Sequence, residues 1–168
     1  MANKTNFTAE EWSRVLSSPM VAGMAITAAD PSGLWGVLKE GMAGGWALLE
    51  ARQSADADPL VKATAEDFAT NEGRTAARTT LQQRFTGTTF SAIKGTALAE
   101  LKAVAGILDE KAPEDAAAFK VWLLQVAQKA AEAGTEGGFL GFGGVAVSDA
   151  EKATLAEISA TLGGKTSG

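Results

Sequence analysis

The sequence predicts an all-α protein, a compact bundle of about seven or eight helices in which two pseudo-symmetric halves are a further expectation. Three observations carry this. Apolar residues recur at three- and four-residue spacing along most of the chain. Hydroxyl or acidic residues next to proline, or three residues before glutamate, mark helix starts again and again. No segment of any length alternates with the period of two that a strand needs. Residues 1–168 read as one helical domain, with 1–7 and 163–168 as flexible ends.

Thr8 and Glu11 form a capping box, followed by an apolar stripe of Trp12, Val15 and Leu16, which predicts a short first helix. Ser18-Pro19 resembles a new start, a cap residue before a proline at the first helical position. A second helix is therefore expected to carry Met20, Val21, Met24, Ala25 and Ala28 to about Ala29. Asp30-Pro31 repeats the signal and opens a third helix through Leu34, Trp35, Leu38, Met42, Trp46 and Leu49 to about Gln53. That helix holds Gly33, Gly36, Gly41, Gly44 and Gly45, each costing about 1 kcal/mol against alanine, so a close helix neighbour is expected there.

Asp58-Pro59 starts a fourth helix with Leu60, Val61, Thr64, Ala65 and Phe68 inward, and Gly73 reads as its C-cap. A short fifth helix carries Leu81 and Phe85, and Gly87-Thr88-Thr89 turns the chain. Phe90, Ile93, Ala97, Leu98, Leu101, Val104 and Leu108 then trace the most regular helical stripe, ending near Asp109-Glu110. Pro113-Glu114-Asp115 places proline and two acids in a first turn, where they complement the helix dipole. Phe119, Trp122, Leu123, Val126, Ala127 and Ala130 form the inward stripe of that helix, and Gly134 is its expected stop. Ser148 and Glu151 cap a terminal helix with Leu155, Ile158 and Leu162, closed by Gly163-Gly164.

Composition restricts the chemistry. Hydrophobic residues at 46% and charged residues at 21% suit a folded globular chain. A formal charge of -5 repels phosphate backbones, so nucleic acid is not an expected partner. Arg74, Arg78 and Arg84 share a helix as a solvated face, with an anion site as the alternative. The chain has no cysteine, histidine or tyrosine. That removes thiolate metal sites, thiol nucleophiles and imidazole acid–base chemistry, and leaves an enzyme to run on carboxylates, lysine, serine or a bound cofactor. No spacing demands such a constellation, so a catalytic role is not expected. The polar start Met1–Phe7 lacks the apolar core of a secretory signal, and the apolar run Met20–Ala29 is too short for a bilayer span. A cytoplasmic location is expected.

The most unusual segment runs Gly137-Gly138-Phe139-Leu140-Gly141-Phe142-Gly143-Gly144. Its large apolar residues suit a compact loop tucked into the core, with a ligand loop as the alternative; it lacks the register of a phosphate-binding glycine motif. Gly164-Lys165-Thr166 is no P-loop end, because Ser159 stands where the first glycine belongs. Asp30, Ser32 and Glu40 depart from a calcium loop at its central glycine and terminal glutamate. The run from Ala25 to Asp30 followed by Ser32-Gly-Leu-Trp-Gly36 is echoed by Ala127 to Glu132 followed by Gly137-Gly-Phe-Leu-Gly141, an internal repeat or a coincidence of an alanine-rich chain.

Glu136-Gly-Gly-Phe-Leu-Gly-Phe-Gly-Gly144 and Val147-Ser-Asp-Ala-Glu151, within the stretch Trp122–Leu162, resemble a set of uncharacterised bacterial all-helical proteins. More distantly, the two helix–acid–glycine–helix units are similar to the tellurite-resistance TerB-like fold. That resemblance implies divalent metal at paired turns and a role in stress response. Here Pro31-Ser32 and Gly138-Phe-Leu-Gly141 stand where TerB-like turns carry an Asp-Gly step with further acids.

The leading expectation is a non-catalytic binding or assembly module that engages a protein partner or a second copy of itself. Trp35, Met42, Trp46, Gly138, Phe139, Gly141 and Phe142 are its ligand or interface candidates, and the large ones among them are equally core candidates. The alternative is a carboxylate site for calcium or magnesium, built from Asp30, Glu40 and Glu136, with Glu66, Asp67 and Glu72 as further acids. No cofactor is otherwise expected. Peripheral membrane attachment through Met20–Leu49 is opposed by Asp30, Lys39 and Glu40 within it.

Overall fold

The computed structural model describes residues 1–29, 43–136 and 147–163. Among them the fold is all-α, with seven helices: α1 (Ala9–Thr27), α2 (Ala43–Gln53), α3 (Pro59–Phe68), α4 (Asn71–Phe85), α5 (Ile93–Lys111), α6 (Pro113–Glu136) and α7 (Asp149–Thr161). Short 3-10 turns at Lys4–Asn6 and Phe90–Ala92 precede α1 and α5.

The central helix is α1, which packs against all six others. Its sequence explains this, because Trp12, Val15, Leu16, Val21, Ala22, Ala25 and Ile26 bury most of its circumference rather than one stripe. The remaining helices close one apolar core, with Phe119, Leu60, Leu101, Leu108, Leu123 and Ile158 fully enclosed.

The expected break at Ser18-Pro19 does not occur; α1 runs through it. Proline has no N–H to give the carbonyl of Val15, four residues back. The Ser18 hydroxyl donates to that carbonyl at 2.7 Å and removes the penalty of leaving it unpaired. Ser18 and Pro19 are buried at the centre of the bundle, so packing on both sides holds the helix through the proline.

Other boundaries follow the caps. The Thr8 hydroxyl accepts from the Glu11 N–H at 3.2 Å while Glu11 accepts from the Thr8 N–H at 2.8 Å. Ser148 and Glu151 repeat that box at the start of α7. Asp58 caps α3 by accepting from the Leu60 N–H at 3.0 Å, with Pro59 at the first position. Gly87 and Gly163 adopt φ of 75° and 86°, a left-handed geometry that glycine takes without a Cβ clash.

Gly73 is not a C-cap. It lies in the first turn of α4, where its N–H donates to the Thr70 hydroxyl at 2.9 Å. A Cβ built on it would stand 2.1 Å from the carbonyl oxygen of Asp67, so glycine is needed there for space. That hydroxyl cap lets α4 begin at Asn71 and extend over 15 residues, longer than expected. Helix α6 likewise continues past Gly134 to Glu136. Phe90 is 42% exposed, outside the stripe it was assigned to, because the 3-10 turn rotates it off the α5 register.

Ala2 and Phe7 of the N-terminal segment are buried against the bundle, while Met1 and residues 3–6 are exposed. The backbone N–H of Ala2 donates to buried Asp115 at 2.6 Å, and Phe7 is buried with its ring 5.4 Å from that of Trp12. The turn residues of the sequence echo, 30–36 and 137–141, lie outside the described residues.

Candidate functional site

Of the residues singled out from sequence, Trp35, Met42, Gly138, Phe139, Gly141 and Phe142 lie outside the described residues, as do Asp30 and Glu40. Trp46 and Glu136 are placed only by their backbones, within α2 and near the end of α6. The structure therefore does not bring these candidates together or separate them.

Of the further acids, Glu66 is exposed on α3, and Asp67 and Glu72 have structural partners. Asp67 accepts from the Trp12 indole N–H at 2.6 Å and lies 3.4 Å from the Lys4 ammonium, tying the N-terminal turn and α1 to the end of α3. Glu72 is exposed and 3.9 Å from the same ammonium. Among the described residues, no three acidic side chains converge as metal ligands would. Arg74, Arg78 and Arg84 are all exposed. Arg74 turns back to cap the carbonyl of Ala69 at 2.7 Å, and Arg84 reaches Glu10 at 2.9 Å, which spreads the trio over separate contacts.

One buried charge pair escaped the sequence reading. Glu100 on α5 faces Arg14 on α1 in a two-pronged contact, Nε to Oε1 at 2.6 Å and the second nitrogen to Oε2 at 2.9 Å. Glu100 occupies an inward position among Ala97, Leu101 and Val104, where periodicity calls for an apolar residue. An acid in an apolar register was the available signal; Arg84 on α4 also comes within 3.9 Å of the same carboxylate. Among the described residues, no enclosed side-chain nitrogen or oxygen lacks a hydrogen-bond partner.

A half-open groove of about 540 Å³ lies between the C-terminal half of α2, the 54–58 connection with the start of α3, and one face of α6. Ala47, Ala51, Val61 and Val126 form its buried floor. Ala117, Ala118, Val121 and Trp122 make the α6 wall. Val121 is 56% exposed, the most exposed large apolar side chain after Met1 among the described residues, and Trp122 is half-buried beside it with its other edge against Phe119. The Lys129 ammonium pairs with Glu50 and bridges α6 to α2 at one end. Asp56, Asp58, Ser54 and Gln125 supply the remaining polar rim.

Sequence reasoning assigned Trp122 to the core stripe and passed over Val121. The signal was present: α6 carries a second apolar row, Ala117, Ala118 and Val121, beside the inward row of Phe119, Leu123 and Val126. A helix with two adjacent apolar rows has more apolar surface than one contact covers.

Comparison of the chain with models of protein families, with curated proteins and with solved structures gives no match. Among the described residues, no helix is long and apolar enough to cross a membrane.

Proposed function

We propose that this chain is a non-catalytic helical binding module of the cytoplasm, and that the groove between α2 and α6 is where a protein partner docks. The observation that carries the reading is the uncovered apolar wall of Val121 and Trp122 above an alanine-lined floor. Alanines on both walls leave recesses that accept large side chains, the arrangement by which helical proteins receive a partner's anchors. Two further features support it. The composition lacks histidine, cysteine and tyrosine, and the buried acids Glu100 and Asp115 are engaged in contacts that hold the fold.

The test is photo-crosslinking in the cell that makes the protein. A photoreactive amino acid is placed at position 121 and, in a second variant, at exposed Gln83 on α4. Defined heterologous adducts from position 121 that are missing from position 83 and are lost on adding Trp122→Ala are the expected result. Equal labelling from both positions, or no protein adduct at 121, would remove the groove as a docking site.

A further inference from the structure

We infer that the groove takes a cationic amphipathic helix of a partner protein. This rests on the reading of the groove as a docking site and adds what fills it.

The walls select a helix. They are themselves helices, whose backbone N–H and C=O groups are already paired along their length, so they offer no ladder to an extended segment. An occupant shielded from water between them must satisfy its own backbone, which a helix does. The α6 wall from Ala117 to Lys129 rises about 18 Å at 1.5 Å per residue, enough for about three turns. Ala47, Ala51, Ala57, Ala117 and Ala118 are the recesses, and Val121 with Trp122 the contact surface.

The rim selects charge. Lys129, the cation among the described lining residues, is already paired with Glu50. Asp56 and Asp58 take part in none of the ion pairs among the described residues. Asp56 is exposed and Asp58 half-buried. Two carboxylates without a cationic partner among the described residues, Asp58 serving also as the α3 cap, favour lysine or arginine flanking the partner's apolar face on a chain of charge -5. The net charge of -5 also disfavours a second copy of this chain as the occupant.

The experiment titrates three synthetic helical peptides into the ¹⁵N-labelled full chain. The first has leucine on one face and lysine on its flanks. The second replaces lysine with glutamate, and the third keeps lysine but replaces leucine with serine. The first peptide is expected to shift the amides of residues 47–58 and 117–129 and to bind about tenfold more tightly than the second. In Asp56→Asn/Asp58→Asn that advantage disappears; asparagine keeps the α3 cap, so the fold is preserved. Equal binding of the leucine peptides with either charge would overturn the inference while leaving the docking site standing. Equal binding of the two lysine peptides would overturn it as mere charge attraction. If no peptide moves the groove amides, both the inference and the docking site fall. Dimerisation of the chain alone that Val121→Asn abolishes would assign the groove to a second copy.

Discussion

Glu100 and Arg14 join the two helices α5 and α1 through paired contacts of 2.6 and 2.9 Å, with the Glu100 side chain only 8% exposed. The Arg14 side chain is 19% exposed, so part of its charge stays hydrated, while the carboxylate depends on Arg14, with Arg84 3.9 Å away, for compensation. Removing one partner leaves the other charge poorly solvated. Arg14→Ala is expected to destabilise the fold by about 3 kcal/mol, whereas Arg14→Met with Glu100→Leu is expected to lie within about 1 kcal/mol of wild type. Urea unfolding midpoints check this; a single substitution no worse than the double would refute it.

Ser18 and Pro19 form a coupled pair of a different kind. Ser18→Ala leaves the buried Val15 carbonyl without its 2.7 Å donor and is expected to cost about 1–2 kcal/mol. Pro19→Ala restores a backbone N–H in position to bond the same carbonyl. In that background the cost of Ser18→Ala should therefore fall below about 0.5 kcal/mol. A double-mutant cycle by thermal or urea unfolding measures the coupling, and additive effects would show that the hydroxyl does not serve the proline.

Two glycines on neighbouring elements should respond in opposite senses to alanine. At Gly73 the new Cβ would lie 2.1 Å from the Asp67 carbonyl oxygen, and backbone on both sides must move. A loss of about 3 kcal/mol is expected. Gly106 is exposed within α5, with nothing within 4 Å of a Cβ, so Gly106→Ala should stabilise by about 0.5–1 kcal/mol. Melting temperatures that move in the same direction would contradict the structure.

Acid stability should carry the signature of the first capping box. The Glu11 carboxyl is held below its usual range, chiefly by the Thr8 backbone N–H and further by the Thr8 hydroxyl and the Lys111 charge, against a partial opposing effect of burial. A carboxyl whose folded pKa is depressed stabilises fully above its unfolded value of 4.5, and that contribution is lost as pH falls through the lower folded value. The stability gap between wild type and Glu11→Gln should be constant above about pH 6 and shrink below about pH 4.5. Glutamine can still reach back in a capping box, so the variant folds. A gap independent of pH would mean that the charge contributes nothing.

Lys111 gives the alkaline counterpart. Its ammonium pKa is raised above 10.5, first by the contact with Glu110 at 3.0 Å and then by the charges of Glu11 and Glu110. That stabilisation is complete below about pH 10 and is lost as pH rises through the higher folded value. Lys111→Met should therefore flatten the alkaline limb of the stability profile while leaving the acid limb unchanged in sign.

The helical class, the caps at Thr8, Asp58 and Ser148, and the inward rows of α5 and α6 were legible in the sequence. They are local: a cap joins residues three apart, and an amphipathic row needs only its own helix. Pro19, Gly73 and Glu100 were misread or missed because each is decided by a residue or element their local pattern does not specify. A serine hydroxyl and burial on all sides carry α1 through its proline, the Asp67 carbonyl excludes a side chain at Gly73, and Arg14 on another helix makes an acid acceptable in an apolar row. The groove belongs to the same category. The alanines of α2 and α6 become recesses only when those helices lie side by side, and Val121 is left open only because no other described element covers that face. Periodicity determined which residues could be buried; the packing of six helices around α1 decided which of them are.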